Sequence, residues 1–183
     1  MARKLIFNQD LLDITMSRLC KQLIENHNNF TESVIIGLQP RGVIFSNRIA
    51  ERLENLLGRT IPIGTLDITF FRDDFRRRQE PIKANSTDVP FIIEDKNVIL
   101  IDDVLFTGRS VRAALDAMSA FGRAKTVELL VLVDRKYSRD LPVQPNYIGR
   151  TVITLPSQRV EVQWKEQGYK KDSIWLSNIE EEK

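Results

Sequence analysis

Three short runs of apolar residues constrain this chain most: Val34-Ile35-Ile36, Val98-Ile99-Leu100-Ile101 and, with one Glu inside it, Val127 to Val133. Each is too short for an ordinary helix and lacks the polar alternation of a half-exposed strand, so each reads as a strand covered on both faces. The stretches between them carry helical spacing. Asn8 is a natural N-cap for a helix reaching about Asn28, with Leu11, Leu12, Met16, Leu19, Leu23 and Ile24 on one side. Val43 to Leu57 repeats the pattern through Ile44, Phe45, Ile49, Leu53 and Leu56, and Gly58 stands just past its end. A third helix is predicted from Arg109 to about Phe121, closed by Gly122. Strands are predicted over Ile61 to Phe71 and Lys96 to Asp102, with shorter β-like pieces at Tyr147 to Ile153 and Arg159 to Trp164, and a fraying polar tail from Ile179 to Lys183. Strands separated by helices define an α/β fold, a mostly parallel central sheet flanked by helices. Ligands of such sheets sit at the carboxyl ends of the strands, so the informative residues follow Ile36, Ile101 and Val133.

Composition narrows the chemistry. A length of 183 residues suits one domain spanning 1–183, and an apolar fraction of 42% suffices for a real core. One Cys, Cys20, makes no internal disulfide and points to a reducing compartment. With His27 as the one histidine, Cys/His zinc patterns are excluded, and a Ser-His-Asp triad would have to use His27. No run reaches the roughly 18–20 apolar residues of a membrane span, and the segment MARKLIFNQD lacks the apolar region of a signal peptide. The expectation is a cytoplasmic protein. Net charge is only +2, so basic residues matter where they cluster.

Val98 to Ser110, VILIDDVLFTGRS, is the string richest in chemistry. A central strand delivers Asp102 and Asp103 to its carboxyl end, and Thr107-Gly108-Arg109-Ser110 turns the chain into a helix. Backbone N–H groups at a helix N-terminus, a Gly that permits a tight turn and two flanking hydroxyls can cradle a phosphate. Paired carboxylates beside them can accept hydrogen bonds from vicinal sugar hydroxyls or hold Mg²⁺ through water. A phosphate cradle next to a diol acceptor is a ribose 5-phosphate site. Asp102-Asp103 as a plain turn with Thr107 as a helix cap is the alternative for the isolated pieces; the whole string in strand–loop–helix context favours the phosphate site. Gly37-Leu38-Gln39-Pro40-Arg41-Gly42 has the glycine spacing of a P-loop, but Val43-Ile44 stand where Lys-Ser/Thr would follow, so a Walker A motif is rejected. Arg72 to Asp88 holds five basic and four acidic residues with one Phe and one Ile, and reads as a long exposed loop.

The thirteen-residue string resembles the phosphoribosyl-pyrophosphate (PRPP) signature of type I phosphoribosyltransferases. Asp67-Ile68-Thr69-Phe70-Phe71-Arg72-Asp73-Asp74, Val131-Leu132-Val133-Asp134-Arg135 and Arg159-Val160-Glu161-Val162 extend the resemblance, from about Leu11 to Trp164, to the PyrR family of pyrimidine-operon regulators with uracil phosphoribosyltransferase activity. The resemblance implies a type I phosphoribosyltransferase fold with a small hood built from the two ends of the chain. It implies that uracil and PRPP give UMP and pyrophosphate, with Mg²⁺ held mainly through PRPP and through Asp102 and Asp103. Asp102, Asp103 and Arg72 are the implied catalytic residues. Val104, Leu105, Phe106, Thr107, Gly108, Arg109 and Ser110 would bind the 5-phosphate, and Pro40, Arg41 and Gly42 the pyrophosphate. Asp134, Arg135 and the hood residue Val160 would surround uracil, and residues 72–88 would match the family's flexible loop over PRPP.

The family's second role, binding leader mRNA in response to UMP or UTP, implies a basic face drawn here from Arg18, Lys21, Arg139 and Arg150. The family's usual Gly-His-Arg after VLVDR is replaced by Lys136-Tyr137-Ser138-Arg139, with one added residue, and a usual Arg by Gln144. Fewer cations mean fewer phosphate contacts. Three readings therefore stand: a uracil phosphoribosyltransferase, an RNA regulator or nucleotide sensor, and a phosphoribosyltransferase for another base. A dimer or higher homo-oligomer is implied by the same resemblance.

Overall fold

The apolar runs pair side by side in a parallel sheet. A computed structural model describes residues 3–73 and 85–179. The elements are β1 (Lys4–Phe7), α1 (Gln9–His27), β2 (Ser33–Leu38), α2 (Gly42–Leu57), β3 (Ile63–Leu66), β4 (Asn97–Leu105), α3 (Arg109–Met118), β5 (Thr126–Lys136), β6 (Tyr147–Ile153), β7 (Gln158–Gln163) and β8 (Ser173–Asn178). Five strands form one parallel sheet in the order β3-β2-β4-β5-β6. Neighbouring residues of each central run face opposite ways. Ile35, Ile99, Ile101, Leu130 and Leu132 pack under α1 and α2, whereas Val34, Ile36, Leu100, Leu129 and Val131 pack under α3. This two-faced burial is what an unbroken apolar strand specifies. The central sheet and its helices are those of the type I phosphoribosyltransferase fold.

Local chemistry sets the helix ends. The Asn8 side chain accepts from the Leu11 N–H at 2.9 Å and starts α1. Gly58, in the left-handed region at φ 64°, closes α2.

The structure differs from the sequence expectations at several places. The strand predicted over Ile61 to Phe71 stops at Leu66 and gives way to a 3-10 turn at Thr69–Phe71. The Asp67 carboxylate accepts from the Thr69 N–H at 3.0 Å and from its hydroxyl at 2.5 Å, a local turn that competes with the ladder. The neighbouring strand β2 ends in register at Leu38, opposite Leu66, so no partner remains beyond that point. Strand β4 runs on to Leu105, and β5 runs on to Lys136 because β6 continues beside it. The third helix is α-helical to Met118 and tightens to a 3-10 turn over Ser119–Phe121. Two strands lie outside the sequence expectation, β1 and β8. With β7 they form a separate antiparallel sheet, β1-β8-β7, made from the two ends of the chain. Most of the loop expected at Arg72 to Asp88, and most of the tail from Ile179, lie outside the described residues. No helix among the described residues is long and apolar enough to cross a membrane.

Candidate active site

The carboxyl ends of β2 and β4 and the small sheet enclose a cavity of about 530 Å³. Pro40, Arg41, Arg72, Asp102, Asp103, Val104, Phe106, Ser110, Arg135 and Val160 all line it. Residues far apart in sequence thus meet because the parallel strands end on one side of the molecule. A neighbouring hollow of about 420 Å³ shares Arg41, Asp103, Arg159 and Val160 and continues along Gln163, Gln167 and Tyr169.

The carboxylates stand where β2 has stopped pairing: its last partner on β4 is Ile101. Asp103 is buried, and its N–H donates to Oδ1 of Asp102 at 2.9 Å. Burial pushes the Asp102 carboxyl well above the usual carboxylate range, and the charge of Asp103 pushes it the same way. Asp103 is also raised by burial, against the pull of the Arg41 guanidinium. Arg41 stands at the start of α2, after the cis Gln39–Pro40 peptide. Gly42 brings that helix start onto the end of β4. A Cβ there would lie 2.4 Å from the Ile101 carbonyl oxygen and 3.1 Å from the Asp102 Cα, so only glycine allows the approach.

The carboxylate pair also bears on metal binding. Two adjacent oxygen donors that burial leaves short of compensating charge suit a hard cation. No cluster of three or more His, Cys, Asp or Glu that could hold a metal ion occurs among the described residues. The residues therefore fit a Mg²⁺ carried mainly by ligand oxygens and water, and not a caged structural ion.

Beyond β4 the chain turns through Thr107 and Gly108, the latter left-handed at φ 89°, into α3. The first-turn N–H groups of a helix lack intrahelical acceptors and favour an anion. Ser110 presents its hydroxyl to the cavity and accepts from Arg72 at 3.2 Å. Leu105, Thr107, Gly108 and Arg109 shape this turn without lining the cavity. Arg109 turns outward to Asp73 and Asp140.

Asp134 and Arg135 diverge. Arg135 is buried; it donates to the Thr154 hydroxyl at 3.0 Å and the Gln158 carbonyl at 2.9 Å, with its guanidinium 3.8 Å over the Phe106 ring. Burial lowers its pKa. Asp134 faces away from the cavity, toward Arg139. Arg139 reaches the turn after β4. Arg18 donates to the Ile148 and Gly149 carbonyls at 3.0 and 2.8 Å, and Arg150 to the Ile6 carbonyl, its guanidinium 5.5 Å over the Phe7 ring. Lys21 is exposed on α1. His27 is remote from this cavity: it bonds Ser33, Glu128 and Tyr147 near the opposite, amino ends of the strands.

Sequence reasoning did not single out Thr69, Asn85 or Arg159 as cavity residues, although all three line it. Asp67 ties two of them together: one carboxylate oxygen holds Thr69, and the other accepts from the Asn85 N–H at 2.7 Å. The Asp-x-Thr spacing, an Asx-turn pattern, was the available signal.

A carboxylate pair near the end of a strand, a helix start just beyond it, and Arg41 and Arg72 lining the same cavity are the arrangement that the phosphoribosyltransferase class implies. The phosphoribosyl transferase domain pattern matches residues 6–170. Among solved structures, a hypoxanthine phosphoribosyltransferase of Trypanosoma cruzi superposes with a TM-score of 0.71 at 12% identity, covering 96% of each chain. A hypoxanthine-guanine phosphoribosyltransferase of Bacillus anthracis superposes at 0.68 and 17%, covering 97% of this chain and 99% of that one. The bifunctional protein PyrR of Latilactobacillus sakei is 45% identical over 153 residues, 82% of this chain and 84% of that protein. The bifunctional protein PyrR of Desulfosudis oleivorans is 46% identical over 151 residues, with 82% and 83% covered. The chain belongs to the PyrR family.

Proposed function

We propose that this protein transfers a phosphoribosyl group from PRPP to uracil, forming UMP and pyrophosphate. The observation that carries the reading is the meeting of Asp102-Asp103, Arg41 and the start of α3 in one cavity, capped by Val160 of the small sheet. N1 of uracil forms a bond to the anomeric carbon as the bond from that carbon to pyrophosphate breaks, and the N1 proton is lost. No side-chain nucleophile is needed, in keeping with the remoteness of His27. Asp102 and Asp103 accept hydrogen bonds from the ribose hydroxyls and hold the sugar as positive charge develops on it. Asp102 and Asp103 would hold Mg²⁺ through water, and the ion would supply charge neutralisation for the departing pyrophosphate. Arg41 and Arg159, which border both hollows, are placed for the same anion. Arg72, the first residue of the loop at 72–88, donates to Ser110 at the phosphate turn. Arg135 supplies a buried cation on the base side, and the β7 backbone around Val160 forms the hood over uracil.

The test is turnover of labelled uracil with PRPP and Mg²⁺, with hypoxanthine, guanine and orotate in parallel. UMP formed at roughly 1 s⁻¹ or faster supports the reading. Turnover of another base alone, or of none, overturns it.

The bifunctional character of the relatives supports a second role, UMP- or UTP-dependent binding of leader mRNA. Arg18, Arg150 and Lys21 gather along α1 and the adjoining edge strand β6, where such an RNA would lie. Retarded migration of a pyrimidine-operon leader transcript only in the presence of UMP or UTP is the expected result. A homo-oligomer in the cytoplasm completes the proposal.

A further inference from the structure

The turn that cradles the 5-phosphate must hold its N–H groups inward, and its carbonyls must then be satisfied from behind. A carbonyl left without a partner could swing its peptide plane and carry an N–H out of line. The Arg139 side chain stands behind the turn. The Arg139 guanidinium donates to the Phe106 carbonyl and to the Leu105 carbonyl at 3.4 Å. It donates to the Arg135 carbonyl and the Val143 carbonyl, both at 3.1 Å, and to the Asp134 carboxylate. The next residues continue the support: the Asp140 and Leu141 N–H groups donate to the Thr107 carbonyl at 3.0 and 3.2 Å. Val143 packs against Gly108 on the same side.

The arrangement is specific to a guanidinium. Its planar fork carries five donors and spans acceptors on β4, β5 and the segment after β5 at once; an ammonium has one centre. The Asp134 carboxylate balances the charge and fixes the plane, which accounts for its turning away from the cavity.

We propose that Arg139 is a positioning residue of the 5-phosphate cradle, locking Leu105–Thr107 to the end of β5, in place of the nucleic-acid contact that the family resemblance implies. The proposal rests on the phosphoribosyltransferase reading and assigns a residue to it.

The experiment compares wild type with Arg139→Lys and Arg139→Gln, each checked for folding by thermal unfolding. Binding of ribose 5-phosphate and of inorganic pyrophosphate is measured by calorimetry, and kcat and both KM values with uracil, PRPP and Mg²⁺. The expected result is a loss of ribose 5-phosphate affinity and a rise in KM for PRPP of about tenfold or more in both variants, since misplacement by a fraction of an ångström is enough. Pyrophosphate affinity and KM for uracil should stay within about twofold. A general structural role would not divide the ligands in this way. Wild type that binds no ribose 5-phosphate overturns the reading of the site and the proposal with it. Wild type that binds, with both folded variants binding equally well, overturns the proposal alone. Loss of the fold in both variants also overturns it, in favour of a purely structural role.

Discussion

A half-buried carboxylate held beside a buried one opposes folding at neutral pH, and that opposition is measurable one residue at a time. The pKa of Asp102 is raised by burial and then by Asp103, so in the folded protein it binds its proton more readily than in the unfolded chain. Stability then falls as pH rises from the unfolded value, about 3.9, through the raised folded value. Asp102→Asn removes this liability while an amide oxygen can still accept the Asp103 N–H. The variant should be more stable than wild type at pH 7, with the difference shrinking toward about pH 4. Urea titrations at the two pH values check this. Activity should move the other way. Asp103→Asn weakens the grip on the ribose hydroxyls and should lower kcat/KM at least about tenfold, equivalent to about 1.4 kcal/mol of transition-state binding. Unchanged kinetics in a folded variant would exclude that role for Asp103.

At the level of elements, the neck of the loop at 72–88 shows how one side chain can fix two chain segments. The Asp67 carboxylate holds Thr69 on the entering segment and Asn85 on the returning one, and the Asp67 N–H donates to Thr87 Oγ1 at 3.0 Å. In Asp67→Asn the amide either sets an NH₂ donor against the Asn85 N–H or turns it toward Thr69. A buried group left unpaired in this way is worth about 1–3 kcal/mol. Unfolding measurements should show that loss, and KM for PRPP should rise because Thr69 and Asn85 both line the cavity. Asp67 also explains where sequence reading stops. Apolar runs, broken only by Glu128 in the last, announce β2, β4 and β5, since burial on two faces leaves no other pattern. The DD pair, the TGRS turn and Arg41 stand out for a related reason: each lies near the carboxyl end of a buried strand. Ile61 to Phe71 is equally β-branched, yet the Asx turn at Asp67 ends the strand where β2 ends. Strands β1 and β8 pair Lys4 with Leu176, a long-range match between four- and six-residue segments that no local periodicity encodes. Arg139 shows the same limit within the site. As a basic residue after a strand it reads as surface charge, and only the folded turn reveals the carbonyls it serves.

For the molecule as a whole, the question is what holds the small sheet over the cavity. Val160 is useful only if the β1-β8-β7 sheet keeps its place above the main one. Arg48, on α2, is the principal polar tie. It donates to both Glu166 carboxylate oxygens at 2.9 and 2.7 Å and to both Asp172 oxygens at 2.8 and 3.0 Å. Its guanidinium lies 4.4 Å over the Trp164 ring, which stacks on Phe45 of α2. Hydrogen bonds from Arg48 pull Glu166 below its usual range; at Asp172 burial pushes upward, but the Arg48 bonds, the Lys165 N–H and the charges of both residues together outweigh it and the pKa is lowered. A lowered carboxylate pKa contributes stability that is present above the unfolded value, about 4, and is lost as pH falls through the folded one. Arg48→Met keeps apolar bulk against Trp164 but leaves buried Asp172 without its cation, so it should destabilise the protein by about 2–4 kcal/mol at pH 7. The difference from wild type should shrink below about pH 4, where both carboxylates take up protons. Turnover gives the functional counterpart. KM for uracil should rise more than the affinity for ribose 5-phosphate falls, because Arg48 anchors the sheet over the base and touches neither the carboxylate pair nor the phosphate turn. This is the reverse of the pattern expected for Arg139. The two substitutions together therefore separate the part of the site that grips the ribose phosphate from the part that closes over the base.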